Sequence, residues 1–286
     1  GMQVKSRHHL RSDAVSELET ALEEHLGVSP EGDTDELVEF EDTDWEVVLI
    51  DGERADIVEK GQVDQGVQQD RLACELFERV CAGAGVRRSD VQRIVATGYG
   101  RNAIGIADTT VTEITCHAAG VRRLAPAAMT VIDIGGQDSK LMRLDGNGKV
   151  RDFAMNDRCA AGTGRFLEVV AARLGISLND LGAMAARSRS PAAISSMCVV
   201  FAETEIIGLL AAGRPPEDIV AGVQTAIASR IIAMAGRNVE PPVLFTGGGA
   251  LVSGMDVALE AALSQPVSIC PEPQMTGALG AALIAM

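Results

Sequence analysis

Apolar residues recur at helical spacing in DRLACELFERVCAGAG (residues 70–85), where Leu72, Ala73, Leu76, Phe77 and Val80 share one face and predict an amphipathic helix. Two further helices are expected. RFLEVVAARLG (165–175) carries Phe166, Leu167, Val169, Val170 and Leu174 at the same period, and CVVFAETEIIGLLAAG (198–213) carries Phe201, Ile206, Leu209 and Leu210 on its apolar side. Between them the pattern changes to short apolar runs closed by glycine. VQRIVATGYGR (91–101) reads as a strand ending in the turn Gly98-Tyr99-Gly100. MTVIDIGGQDSKLMRLDGNGKVRDFAMN (129–156) reads as a strand, a glycine turn, a second strand, a hairpin at Asp145–Gly148 and a third strand. Helices continue to about residue 237, broken near Gly175, Pro191 and GRPPED. Then PPVLFTGGGALVSGMDVALEAAL (241–263) gives a buried strand, a glycine turn and a helix, PVSIC (266–270) a short strand, and TGALGAALIAM (276–286) a closing helix of small residues. Alternating strands and helices of this kind predict an α/β architecture.

The front of the chain reads differently. Ser12 or Asp13 caps a helix with Val15, Leu18, Leu22 and Leu26 on its apolar face, and ELVEF (36–40) and WEVVLIDGE (45–53) read as two strands around an acidic loop. Residues 1–60 hold 18 Asp and Glu against 5 Lys and Arg, whereas the rest of the chain holds 22 against 20, so nearly all of the net charge of −15 lies at the front. That break sets off residues 1–53 as an acidic segment, followed by 54–128 as the remainder of a first lobe and 129–286 as a second lobe, with the last helix expected to return to the first. Neither part has the basic balance of a general nucleic-acid binder. No apolar run reaches the roughly 18 residues of a membrane span, no secretory signal opens the chain, and six scattered cysteines do not form the dense framework of a secreted protein. A reducing cytoplasm is the expected location. The short basic patch Lys5, Arg7, His8, His9 and Arg11 reads as a solvated terminus.

Candidate chemistry follows from where polar residues interrupt these patterns. VIDIGGQDSK (131–140) puts Asp133 inside a buried strand, with Gly135 and Gly136 bringing backbone amides close to a ligand; an acid there can hold a metal-bound water and the amides can cradle phosphate. VLFTGGGA (243–250) repeats the device with Gly247, Gly248 and Gly249 ahead of a helix. Taken alone, each is equally a plain turn; two of them in one α/β chain favour a nucleotide between two lobes. NDRCAAGTG (156–164) places Cys159 among polar residues just ahead of a helix, and SSMC (195–198) places Cys198 likewise. A thiol at the positive end of a helix suits a metal ligand. Cys74 and Cys81, seven apart in one helix, read as core, and Cys116 and Cys270 as core or inert surface.

VIDIGGQDSK, NDRCAAGTGRFLE, SSMCVVFAETEII, LFTGGGA and TGALGAAL, in this order, resemble the BadF/BadG/BcrA/BcrD ATPase family, which includes activators of 2-hydroxyacyl-CoA dehydratases and ATPase subunits of benzoyl-CoA reductase. The resemblance covers residue 54 to the end. It implies the actin/Hsp70/sugar-kinase fold, two ribonuclease-H-like lobes closing on ATP or ADP with Mg2+. It places Asp133, Gly135, Gly136 and Gln137 in the second phosphate loop, with Asp133 catalytic, Gly247 to Gly249 on the adenosine side, and Gly162 and Thr163 among the cofactor-binding residues. It also implies a [4Fe–4S] cluster. Such a cube wants four thiolates, so Cys159 and Cys198 from each copy of a homodimer would meet at one shared site, zinc being the alternative metal. The implied mechanism is nucleotide-driven transfer of one electron to a partner acyl-CoA dehydratase or reductase; a nucleotide or cluster sensor without catalysis is the rival reading.

Two stretches depart from that pattern. Family members open with a first phosphate loop of the form D-x-G-S-x-x-x-K, whereas VEFEDTDWEVV (38–48) puts Glu39 at the Asp, Glu41 at the glycine, Asp42 at the serine and Glu46 at the lysine. A carboxylate in place of a phosphate-binding lysine repels phosphate, which predicts weakened ATP binding or hydrolysis. KSRHHLRSD and ELVEFEDTDWEVVLIDG resemble archaeal pre-PUA segments, which implies an RNA-associated role for residues 1–52 alone.

Overall fold

The computed structural model describes residues 44–286 except residues 65, 196, 197, 237 and 238. Contacts divide the chain into residues 1–39 and 40–286, and only the second unit is described below. The helix expected from Ser12, the strand at ELVEF, the basic patch, the positions Glu39, Glu41 and Asp42, and most of the pre-PUA-like stretch lie outside the described residues.

The first elements are a hairpin of β1 (Asp44–Ile50) and β2 (Ile57–Asp64), antiparallel along its length. Asp51 sets the turn by accepting hydrogen bonds from the amides of Glu53 and Arg54 at 2.9 and 2.8 Å, a local use of a short carboxylate that favours turns over strands. Helix α1 (Gln69–Gly83) covers the hairpin and buries Ala73, Leu76, Phe77 and Val80 of the expected apolar face. A second pair, β3 (Val95–Ala96) and β4 (Thr109–Thr110), is parallel and very short, and helix α2 (Glu113–Leu124) follows.

The main sheet holds β5 (Thr130–Ile134), β6 (Ser139–Leu144), β7 (Val150–Asn156), β8 (Val243–Thr246) and β9 (Val267–Ile269) in the order β7-β6-β5-β8-β9. The first three form an antiparallel meander, and β8 and β9 run parallel to β5. Strand β5 is buried on both faces, which explains its continuous apolar run and isolates Asp133 as the exception. Ile132, Ile134, Leu141 and Phe245 face a large core with Phe166, Val170, Ile206, Ile227 and Leu259. These come from α3 (Gly164–Leu174), α5 (Val199–Ala211), α6 (Pro216–Ala235) and α7 (Met255–Leu263); the short α4 (Asp180–Ala185) packs on α6. Val131, Met142, Leu144 and Leu244 face the other way, toward Ala118 and Val121 of α2. Each large apolar side chain so buried contributes about 1.5–3 kcal/mol.

The last helix, α8 (Thr276–Ala285), crosses α2 and also touches β1 and β3. Gly120 of α2 and Gly280 of α8 meet at the crossing, where a Cβ on Gly120 would strike the Thr276 carbonyl and one on Gly280 the Cys116 carbonyl. The small residues of TGALG are therefore a packing requirement.

Two expectations need correction. Phe201 is not on the inward side of its helix: it and Val200 are 69% and 67% exposed, while Ala202 and Ile206 are buried. The helix is apolar nearly all round, so composition did not define which side faces the core. Cys74 is only half-buried, unlike Cys81, Cys116 and Cys270.

Candidate functional site

Strand β5 ends in the Gly135–Gly136 turn, and β8, its parallel neighbour, ends beside it in Gly247 to Gly249. Parallel neighbours bring both glycine turns to the same edge of the sheet, the place where open α/β sheets collect ligands. The contact is close. Gly247 has φ +81°, and a Cβ there would collide with the Ile134 carbonyl. A cleft of about 1340 Å³ opens at this edge, lined by Gly135, Gly136, Gln137, Gly247, Gly248 and Gly249 on one side and by Trp45, Glu46, Gly98, Tyr99 and Gly100 on the other.

Asp133 projects into the cleft floor and is 2% exposed. Its Oδ1 accepts from the Thr246 hydroxyl at 2.8 Å, and its Oδ2 lies 3.4 Å from Lys140 Nζ. Lys140, 1% exposed, also reaches Glu113 Oε1 and Asp138 Oδ1, each at 2.6 Å. His117 adds Nε2 at 3.5 Å from Glu113, Nδ1 at 3.9 Å from Asp133 and Nδ1 at 2.9 Å from the Thr276 hydroxyl. Across the cleft, the Tyr99 hydroxyl donates to Asp138 Oδ2 at 3.1 Å.

The charges decide each other's protonation. Burial opposes ionisation of Asp133, but His117 and Lys140 outweigh it and hold the carboxyl below its usual range. Glu113, against the same burial, is brought down to about 2 by His117 and Lys140. Burial alone would discharge Lys140 and His117; Asp133 and Glu113 reverse this and raise both. Asp138 is the exception, its pKa raised because burial outweighs Lys140. Glu46 faces this group without an ion pair to a cation among the described residues, and burial, then Asp44, Asp133 and Glu113, push its carboxyl up to about 8.

The residues expected from sequence fall into three groups. Asp133, Gly135, Gly136, Gln137, Gly247, Gly248 and Gly249 share the cleft. Gly162 and Thr163 are buried outside its lining, with the Thr163 hydroxyl donating to the Ala160 carbonyl at 2.9 Å; Gly164 lines the wall instead. Cys159 and Cys198 are both exposed. Cys198 directly precedes α5, whereas Cys159 precedes a short 3₁₀ turn, Ala160–Gly162, and Thr163 occupies the cap of α3. Sequence reasoning missed Tyr99, Glu113, His117, Asp138, Lys140 and Thr246. A signal for two of them was present: Glu113 and His117 are four apart on one helix, the spacing at which helical side chains meet.

A mixed α/β fold of this topology, with a cleft at the sheet edge, is of the actin, Hsp70 and sugar-kinase class. Its fold matches a ROK family glucokinase from Streptomyces griseus at TM-score 0.50 and 13% identity, over 85% of this chain and 96% of that one. Residues 47–285 match the BadF/BadG/BcrA/BcrD ATPase family, and the chain belongs to it. The 2-hydroxyisocaproyl-CoA dehydratase activator of Clostridioides difficile is 41% identical over 240 residues, 84% of this chain and 89% of the relative. The structure of that activator with bound ADPNP superimposes at TM-score 0.79 and 39% identity, over 85% and 90% of the two chains. The (R)-2-hydroxyglutaryl-CoA dehydratase activating ATPase of Acidaminococcus fermentans is 44% identical over 241 residues, 84% of this chain and 91% of the relative. The family match begins at Val47 and gives no support to the pre-PUA likeness of the front segment.

Proposed function

We propose that this chain is an ATP-dependent electron donor that activates an acyl-CoA enzyme of the 2-hydroxyacyl-CoA dehydratase or benzoyl-CoA reductase type, working as a homodimer in a reducing cytoplasm. One observation carries the redox part. Of six cysteines, Cys159 and Cys198 alone are exposed, each immediately ahead of a helical turn. Two accessible thiols per chain fit a [4Fe–4S] cluster only if two copies supply them together, an isologous arrangement about a dyad. When bound, the cluster supplies a one-electron carrier. The chain's own part is to present two thiols, Cys159 and Cys198, each ahead of a helical turn, so that two copies would offer four, and to exclude its other cysteines, three of which are buried.

On the nucleotide side, Gly136 and Gln137 would offer amides to phosphate while the Gly135 amide is donated to the Asp138 carbonyl at 2.9 Å, Gly247 to Gly249 would let the nucleoside approach the backbone, and Asp133, held ionised, would hold a water on Mg2+. Residues 54–128 and 129–286 are read as the two lobes that close on ATP, and 1–53 as an added acidic segment. A second reading, a nucleotide- and cluster-binding protein that does not hydrolyse, is favoured by Glu46, which puts a carboxyl in the cleft where the family pattern has a phosphate-binding lysine.

Anaerobic purification with iron, sulfide and ATPase measurements tests both. Four irons per two chains, lost in Cys159→Ala and in Cys198→Ala, together with ATP turnover, is the expected result. Iron retained after either substitution defeats the shared cluster; intact iron with no turnover selects the second reading.

A further inference from the structure

The glycine turn that faces the cleft is hydrogen-bonded to the segment that carries Cys159. The Gly164 amide donates to the Gly135 carbonyl at 2.8 Å, and the Arg165 amide donates to the Gly136 carbonyl at 3.0 Å. Each of these carbonyls shares a rigid peptide plane with the amide of the next residue, Gly136 or Gln137. An amide turned toward a phosphate oxygen therefore turns the carbonyl that the head of α3 holds. Contact is tight here: a Cβ on Gly164 would stand 3.1 Å from the Gly135 oxygen and 3.3 Å from the Gly136 Cα.

From the head of α3 the link continues to the thiol. Asn156, the last residue of β7, grips Cys159 at both backbone atoms: its Nδ2 donates to the Cys159 carbonyl at 2.7 Å, and its Oδ1 accepts from the Cys159 amide at 3.1 Å. Gly162 leaves room for this clamp, since a Cβ there would stand 3.1 Å from Asn156 Nδ2. Cys198 is held differently. Ser195 is tied to the helix that follows Cys198, Glu205 accepting from the Ser195 amide at 3.0 Å and from the Ser195 hydroxyl at 2.8 Å.

Resting on the nucleotide reading above, we infer that Asn156 is a positioning residue which, with the Gly135–Gly164 and Gly136–Arg165 bonds, makes Cys159 the thiol that responds to nucleotide while Cys198 does not. The two thiols are chemically alike and differ in what anchors them, so the comparison is internal to one molecule.

The test needs no cluster. The metal-free full-length chain is labelled with iodoacetamide, with and without ADPNP and Mg2+, and the rates at Cys159 and Cys198 are read by peptide mass spectrometry; nucleotide binding is measured in parallel by calorimetry. Nucleotide is expected to change the Cys159 rate about fivefold or more, the low end of ordinary site-to-site coupling, and to leave Cys198 within about twofold. Asn156→Ala is expected to abolish the response with nucleotide still bound. Asn156→Asp, which keeps the acceptor for the Cys159 amide and loses the donor, gives an intermediate response and serves if the alanine variant fails to fold. Binding with equal changes at both thiols, or with none, overturns the inference. A full response retained in both Asn156 variants removes Asn156 from it. No calorimetric binding overturns the nucleotide reading and this inference with it.

Discussion

Single residues decide the electrostatics of the cleft, and Lys140 and Glu46 do so in opposite senses. Lys140 is enclosed by Asp133, Asp138 and Glu113. Removing one partner of a buried charge group is far more costly than the group is worth as a whole, because the others are left uncompensated. Lys140→Met should therefore lower stability by about 3–5 kcal/mol, read as a shift in the urea midpoint. Glu46 is the uncompensated member. Its carboxyl titrates near 8 in the folded chain against an ordinary value of 4.5, so the folded state holds a proton that the unfolded state has released between these values. Stability should then fall as pH rises from about 4.5 to 8, and Glu46→Gln should flatten that slope while leaving stability near pH 4 unchanged. A slope unaltered by the substitution in urea melts across this range would place its origin elsewhere.

At the scale of elements, packing at one crossing can be tested against an open position. Gly280→Ala drives a methyl into the Cys116 carbonyl between α2 and α8, and should destabilise by on the order of 3 kcal/mol. Gly52→Ala, at a turn with nothing nearby, should stay within about 0.5 kcal/mol. Thermal melts of the two variants side by side check the pair; similar midpoints would show that the helices slide apart freely. The same scale shows what the sequence reveals. The hairpin at Asp145–Gly148 was legible because Asp145 and glycine make a local turn, closed by the Gly148 amide donating to the Asp145 carbonyl. Strands β5 and β8 were legible as short apolar runs, interrupted in β5 by Asp133. The pairing of β3 with β4 was not, since two residues on each side carry no period. The outward turn of Phe201 was not either, because an all-round apolar helix has no face to read. The Lys140 cluster draws on α2, β5, β6 and the turn between them, so only the three-dimensional fold brings its members together.

At the scale of the whole molecule, the cleft has a sign. Glu113, Asp133 and Asp138 line it, Glu46 beside them holds its proton up to about pH 8, and its cations include Lys140, already engaged by three carboxylates, the buried His117 and Arg93. Backbone amides at Gly136, Gly248 and Gly249 supply partial charges but no net compensation for a triphosphate, and those of Gly135 and Gly247 are donated to the Asp138 and Pro273 carbonyls. A polyphosphate entering alone would find these cations already paired with carboxylates, in a partly enclosed space where a unit charge pair at close range is worth several kcal/mol rather than one. A divalent cation reverses this by carrying two positive charges in with the nucleotide. Nucleotide affinity should therefore fall at least about tenfold when EDTA replaces Mg2+, and Glu46→Lys should recover much of that loss by placing a permanent cation in the cleft. Calorimetric titration of ADPNP into wild type and Glu46→Lys, each with Mg2+ and with EDTA, separates the contributions. If Glu46→Lys binds no better than wild type in EDTA, Glu46 is remote from the phosphates, and the chain keeps its nucleotide without a counterpart of the lost lysine at this position. If it binds better in EDTA and equally in Mg2+, the metal already supplies what the lysine would, and the replacement at Glu46 costs the protein little under magnesium-replete conditions.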